Sequence, residues 1–219
     1  IKYLPKILTT DIGVDSFRLE LEYYPFQTLS YLILFGKLNK EEAWHLSKKA
    51  LDFCKLTLWH KKEFVTPVGY IESFFIDRAL NNTKMLVEKS SLFKEITKFH
   101  KIEVNGRKYM NLCEIIDTIK NDSSVIEKLK PPHLSYIWGD LHPNNILINL
   151  KDKTFVLIDP RGEPGDYLYD LGKLFHTYGP GRYDFLDNDL YRVGLQINKK
   201  IVARRKFYEN HPSWDTYNY

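Results

Sequence analysis

Asp140, Asn145 and Asp159 are the residues of this 219-residue chain whose types and spacing bear on chemistry. They lie in WGDLHPNNILINLKDKTFVLIDPRG, residues 138–162, together with His142. Phosphoryl transfer uses three groups of this kind. One carboxylate accepts the proton of the attacking hydroxyl, while a second carboxylate and an amide oxygen hold Mg2+ against the nucleotide phosphates. Mg2+ takes hard oxygen ligands and needs few of them from the protein, which one Asp and one Asn supply. Taken singly, each residue has a plainer reading. Asp140 after Gly139 is a turn residue, Asn144 and Asn145 are turn formers after Pro143, and Asp159-Pro160 closes a strand. Their joint spacing favours the chemical reading.

The flanking residues must position these groups. SYIW reads as a strand-like approach and NILIN as a strand leaving the loop. KTFVLI is a second short β run with Phe155, Val156, Leu157 and Ile158 expected to be buried. Antiparallel pairing of the two runs brings the loop carrying Asp140, His142 and Asn145 beside the strand end carrying Asp159. Loops held on rigid flanks are where reactive groups concentrate.

Further upstream, DSFRLELEYY alternates Phe17, Leu19 and Leu21 with charged residues, the period of a strand with one buried face. A short apolar helix from Leu29 is expected to stop around Gly36. Asn39 then caps a longer helix whose Ala43, Leu46, Ala50, Phe53 and Cys54 share a face. YIESFFIDRALNN continues as helix. Asn105-Gly106 supplies the positive φ of a two-residue hairpin turn. Leu112, Ile115, Ile116 and Ile119 mark the face of another helix.

Composition bounds the class. At 43% hydrophobic and 27% charged, the chain is that of a globular protein with enough residues for a full core. Its formal charge of +4 is scattered, with ARRK at 203–206 the one tight cluster; a solvated helix end explains that better than nucleic-acid binding. The apolar stretch from Leu29 is about half the roughly 20 residues needed to span a bilayer, so no membrane span is expected. Cys54 and Cys113 lack metal-ligand spacing and make no disulfide framework, so cytoplasmic residence is the default.

GDLHPNNIL followed by VLIDPRGEPGDYLYDLGKL resembles the aminoglycoside phosphotransferase and choline kinase group of the protein-kinase-like fold, and IDPRG is closest in motif to its streptomycin kinase type branch. The resemblance covers residues 134–176 closely and the preceding elements more loosely. It implies an α+β fold: residues 1–24 as the end of a small lobe and hinge, and residues 25–219 as a mainly helical large lobe. The catalytic loop would be residues 138–147 and the metal motif residues 158–162. On the same resemblance Asp140 is the catalytic base, Asn145 and Asp159 are the Mg2+ ligands, and Glu22, Tyr23 and Tyr24 lie near the adenine of ATP. Asp170 braces the catalytic loop by accepting backbone N–H bonds, and His142 orients it. Trp138 stands where relatives usually carry His. The Gly-rich loop, strand Lys and helix Glu of such enzymes have no counterpart here, so an additional N-terminal region of the same protein is expected to supply them.

The implied activity is transfer of the ATP γ-phosphate to a hydroxyl of a small molecule, whether an amino sugar, a sugar or an amino alcohol. Glu163, Asp166, Asp184, Asp187 and Asp189 offer a dock for a cationic acceptor, or else are solvated surface. A catalytically inactive, nucleotide-binding module of the same fold is the second reading. A basic nucleic-acid binder is a distant third, supported only by ARRK and a pI near 8.8.

Overall fold

The structure, a computed structural model, describes residues 3–35, 38–178, 184, 188, 190–197 and 201–207. In chain order the elements are β1 (Ile7–Ile12), β2 (Phe17–Leu21), β3 (Gln27–Thr28), α1 (Leu29–Leu34), α2 (Lys40–Cys54), β4 (Glu63–Val65), α3 (Arg78–Lys89), α4 (Ser91–Ile96), β5 (Lys101–Val104) and β6 (Arg107–Met110). They continue with α5 (Leu112–Lys120), α6 (Ser123–Leu129), β7 (His133–Tyr136), β8 (Ile146–Asn149), β9 (Thr154–Leu157), β10 (Pro164–Gly165), α7 (Tyr167–Tyr178), β11 (Tyr191–Ile197) and β12 (Ile201–Phe207). π-Helical turns over Lys55–Trp59 and Glu72–Asp77 continue α2 and lead into α3. The class is α+β, built of helices and small sheets. Among the described residues no helix is long and apolar enough to cross a membrane.

Backbone contacts divide the described residues into two units, one within Ile1–Phe64 and Leu134–Asn188, the other within Val65–His133 and Asp189–Tyr208. The division expected at residue 24 is not one of these boundaries. Residues 3–24 group with the segment that follows them, and Leu157 N–H donates to Tyr3 O at 2.9 Å.

The first unit is organised around α1, α2 and the antiparallel sheet β3-β8-β9. Thr28 caps α1, its hydroxyl accepting Tyr31 N–H, and Leu29, Leu32, Ile33 and Leu34 are buried behind it. Asn39 and Glu42 exchange side-chain and backbone bonds in a capping box at the start of α2, and Ala43, Leu46, Ala50, Phe53 and Cys54 are buried as their spacing predicts. Burial pushes the Cys54 thiol up, with the charge of Asp170 adding to the effect. In the sheet, Ile146 pairs with Leu157 and Thr28 with Leu147. Phe155, Val156 and Leu157 are buried, and Phe155 stacks on Tyr3 at 4.5 Å; Ile158, expected in the core, is half-buried.

The strand predicted from DSFRLELEYY exists, but its predicted buried face does not. β2 pairs only with β1, Ile12 against Phe17 and Thr10 against Leu19. Phe17 remains 65% exposed and Leu19 44%. Alternation fixes which side chains share a face, and leaves open whether another layer covers it.

In the second unit, Asn105 and Gly106 take φ of 49° and 82° and join β5 to β6, the expected hairpin. β12 adds to β5 in parallel and β11 pairs with β12. The ARRK cluster therefore lies in strand β12 rather than at a helix end. α5 buries Ile116 alone of the face predicted for it; Leu112 and Ile115 are exposed, for the same reason as in β2.

Candidate active site

Every group singled out around Asp140 lies in the first unit. Between β7 and β8 the chain makes a tight polar loop ending in a 3-10 turn over Pro143–Asn145. His142 N–H donates to Asp140 O at 2.9 Å and Asn145 N–H to His142 O at 2.8 Å. The His142 ring caps the turn, its Nδ1 accepting Asn144 N–H at 3.3 Å. Gly139 enters the loop at φ +82°, where a side chain is strained, and a Cβ there would lie 2.8 Å from Arg161 Cβ. That close approach lets Arg161 N–H donate to Trp138 O at 3.0 Å.

Asp170, in the first turn of α7, holds the start of this loop. Its Oδ2 accepts Trp138 N–H at 2.7 Å and its Oδ1 accepts Gly139 N–H at 2.7 Å. The Trp59 indole N–H adds a third bond to Oδ2 at 3.0 Å. Asp170 is 0% exposed. Burial raises its pKa above the ordinary carboxylate value, the three N–H donors pull it back, and the Asp140 charge pushes it up again, for a net rise. Trp138 has a second tie to the site: its indole N–H donates to Ile158 O at 3.1 Å. Trp59 carried no signal in the sequence, since 111 residues separate it from its partner.

Asp140 itself is half-buried, and three cation-capable groups surround it. Lys173 Nζ lies 2.8 Å from Oδ1, Arg161 Nη2 3.8 Å from Oδ2 and His142 Nε2 3.7 Å from Oδ2. Burial alone would raise the carboxyl, but Lys173, with His142 and Arg161 behind it, outweighs burial and holds Asp140 below the usual carboxylate range. Oδ1 is sealed from solvent and accepts no well-aligned hydrogen bond, so its contact with Lys173 is an ion pair. Neither Lys173 nor Arg161 was singled out from the sequence for this place. Lys173 follows Asp170 by three residues on α7, so one helix supplies both the brace and the cation.

Asn145 is buried, and its Nδ2 donates to Asp140 O at 3.0 Å. That bond orients the amide and leaves Oδ1 as its free acceptor. Ile158 N–H donates to Asn145 O at 3.0 Å, which sets Asp159 one residue beyond the bonded pair. Asp159 is exposed and takes φ +60°, uncommon for a non-glycine residue. Among the described residues no group of three His, Cys, Asp or Glu could hold a metal ion. Magnesium asks for less: one carboxylate and one amide oxygen, with substrate phosphates completing the shell, and the chemistry of Asn145 and Asp159 fits that donor set.

Glu22, Tyr23 and Tyr24 stand apart from this constellation in their bonding. Glu22 N–H donates to Lys6 O at 2.9 Å, the Tyr24 hydroxyl donates to Glu22 Oε2 at 2.8 Å, and Tyr23 is exposed. None of the three bonds to the loop around Asp140. The acids expected to attract a cation are largely engaged elsewhere. Asp166 is buried and accepts Leu168 N–H at 3.0 Å, and Asp184 is buried and accepts the Ser30 hydroxyl at 2.6 Å. Glu163 is exposed, and Asp187 and Asp189 lie outside the described residues.

No family model, curated protein or solved structure matches the chain.

Proposed function

We propose that this chain carries the catalytic loop of a small-molecule kinase of protein-kinase-like fold, one that transfers the γ-phosphate of ATP to a hydroxyl. The observation that carries the reading is the hydrogen-bonded linkage of its groups: Asn145 amide to Asp140 carbonyl, Ile158 to Asn145 beside Asp159, and Asp170 beneath the loop. Three oxygen-bearing groups are thereby gathered on two paired strands and one braced turn, a rigid placement of the kind phosphoryl transfer requires.

In this reading Asp140 accepts the proton of the attacking hydroxyl. Its lowered pKa keeps it ionised across the neutral range, so it is always ready to accept. Asn145 Oδ1 and the Asp159 carboxylate would hold Mg2+, whose charge offsets that of the nucleotide phosphates. His142 holds the turn that presents Asp140, and Asp170 with Trp59 keeps the loop backbone in place. Glu22, Tyr23 and Tyr24 remain the candidates for the adenine side of ATP, through backbone groups.

The test compares the wild-type protein carrying this chain with Asp140→Asn for Mg2+-dependent, acceptor-stimulated ADP release over a panel of sugars, amino sugars and amino alcohols. Loss of a proton acceptor is expected to lower turnover by roughly 10²- to 10⁴-fold. Tight Mg·ATP binding without transfer to any acceptor, unchanged in Asp140→Asn, would instead establish the inactive nucleotide-binding module.

A further inference from the structure

The groups around Asp140 bear on the acceptor as well as on the reaction. We infer that the acceptor is an anionic small molecule, a sugar acid or sugar phosphate whose carboxylate or phosphate is received by Arg161 and Lys173. The inference rests on the kinase reading of this site, and it names the substrate class that reading leaves open.

Local charge points this way first. Arg161 and Lys173 bring two cationic groups to within 3.8 Å and 2.8 Å of a single carboxylate. His142 stands at 3.7 Å from the same carboxylate. Against the single negative charge of Asp140, Arg161 and Lys173 leave a net positive charge, which a carboxylate or phosphate entering there would balance and an ammonium would not. Of the acids suggested as a dock for a cationic acceptor, Asp166 and Asp184 are buried in internal hydrogen bonds, and Glu163 alone of the described ones is exposed.

Geometry points the same way. The Arg161 guanidinium makes no hydrogen bond among the described residues, and at 3.8 Å its approach to Asp140 is an ion pair without a bond. Its side chain is 42% exposed. Its stem carbons pack against Gly139, where a Cβ would lie within 3.3 Å of Cβ, Cγ and Cδ, and the Arg161 backbone N–H is bonded to Trp138 O. A guanidinium with unused donors is suited to two-point recognition of a carboxylate or phosphate. Lys173 is 25% exposed beside Asp140 Oδ1 and supplies the second charge.

The test uses the full protein with Mg·ATP and four acceptors that share one ring: glucose, glucosamine, glucuronate and glucose 6-phosphate. ADP release is measured for wild type and Arg161→Gln, and binding of glucuronate and glucose 6-phosphate is measured separately by calorimetry. An anionic acceptor is expected to give the highest kcat/KM and glucosamine the lowest. Arg161→Gln is expected to raise KM for the anion roughly 10- to 100-fold, and to lower the ratio of anionic to neutral kcat/KM by a similar factor. Preference for glucosamine overturns the inference. So does an equal loss for glucose and glucuronate in Arg161→Gln, which would assign the guanidinium to the transferred phosphate. Anion binding that Arg161→Gln abolishes, with no ADP release from any acceptor, sinks the kinase reading and keeps the anion site. Absence of both sinks both.

Discussion

Replacing Asp170 by Asn separates a brace from a bystander. The carboxylate offers two oxygens to three N–H donors, Trp138 and Trp59 on Oδ2 and Gly139 on Oδ1. An amide of the same shape offers one. If its oxygen stays with Trp138 and Trp59, its NH2 confronts Gly139 N–H, donor against donor. A buried N–H without an acceptor costs about 1–3 kcal/mol, and each of the other two bonds falls from a charged to a neutral acceptor at about 1 kcal/mol. Relief of a desolvated charge offsets part of this, which leaves a net loss of roughly 2 kcal/mol or more. Urea unfolding at neutral pH measures it, and hydrogen exchange at the Gly139 amide locates it. The pH dependence follows from the raised pKa. From the ordinary carboxylate value up to the native one, the folded state binds more protons than the unfolded state, so this group's contribution falls as pH rises through that window. Asp170→Asn removes that slope. An Asn variant within about 0.5 kcal/mol of wild type, with Gly139 equally protected, would refute the brace.

Trp59→Phe removes one donor to a charged acceptor and is expected to cost about 1.5–3 kcal/mol in wild type, but only about 0.5–1.5 kcal/mol in Asp170→Asn. A double-mutant cycle reads the difference. Gly139→Ala forces a side chain into φ +82° and a 2.8 Å contact with Arg161; it is expected to destabilise by about 2 kcal/mol or more in denaturant unfolding and to displace Arg161. Lys173→Met removes the strongest force lowering the Asp140 pKa and leaves burial unopposed by it, so that pKa moves up. In the proposed transfer the ionised form is the competent one, so the acid limb of the kcat/KM profile is expected to move to higher pH, and an unmoved limb would detach Lys173 from the proposed base.

What could be read from the sequence was local. Asn39 with Glu42 announced a capping box, and Asn105-Gly106 announced a turn, because the interacting atoms lie within a few residues of each other. The short apolar runs in NILIN and TFVLI were enough to pair β8 with β9 and so to bring Asn145 next to the residue before Asp159. Coverage was not legible. β2 and α5 carry correct periodicities, yet leave Phe17, Leu19, Leu112 and Ile115 exposed. Acidic type alone suggested a dock for a cation, whereas Asp166 and Asp184 are themselves buried and hydrogen-bonded within the fold. The charge environment of Asp140 was the largest omission. It depends on where α7 lies, and no periodicity in α7 shows that Lys173 reaches a loop 33 residues earlier in the chain.

That environment also separates the two oxygens of Asp140. Oδ1 is closed off from solvent with Lys173 at 2.8 Å, so a hydroxyl cannot approach it without displacing the ammonium. Oδ2 faces Arg161 and His142 at 3.8 and 3.7 Å, too far for a hydrogen bond, and so keeps its lone pairs open. In the proposed transfer Oδ2 is therefore the atom that takes the proton, while Lys173 steadies the charge on the other oxygen. Such a division reconciles a strongly paired carboxylate with a role as base. It also fits an anionic acceptor, since a carboxylate or phosphate lying against Arg161 would set the neighbouring hydroxyl on the Oδ2 side of Asp140.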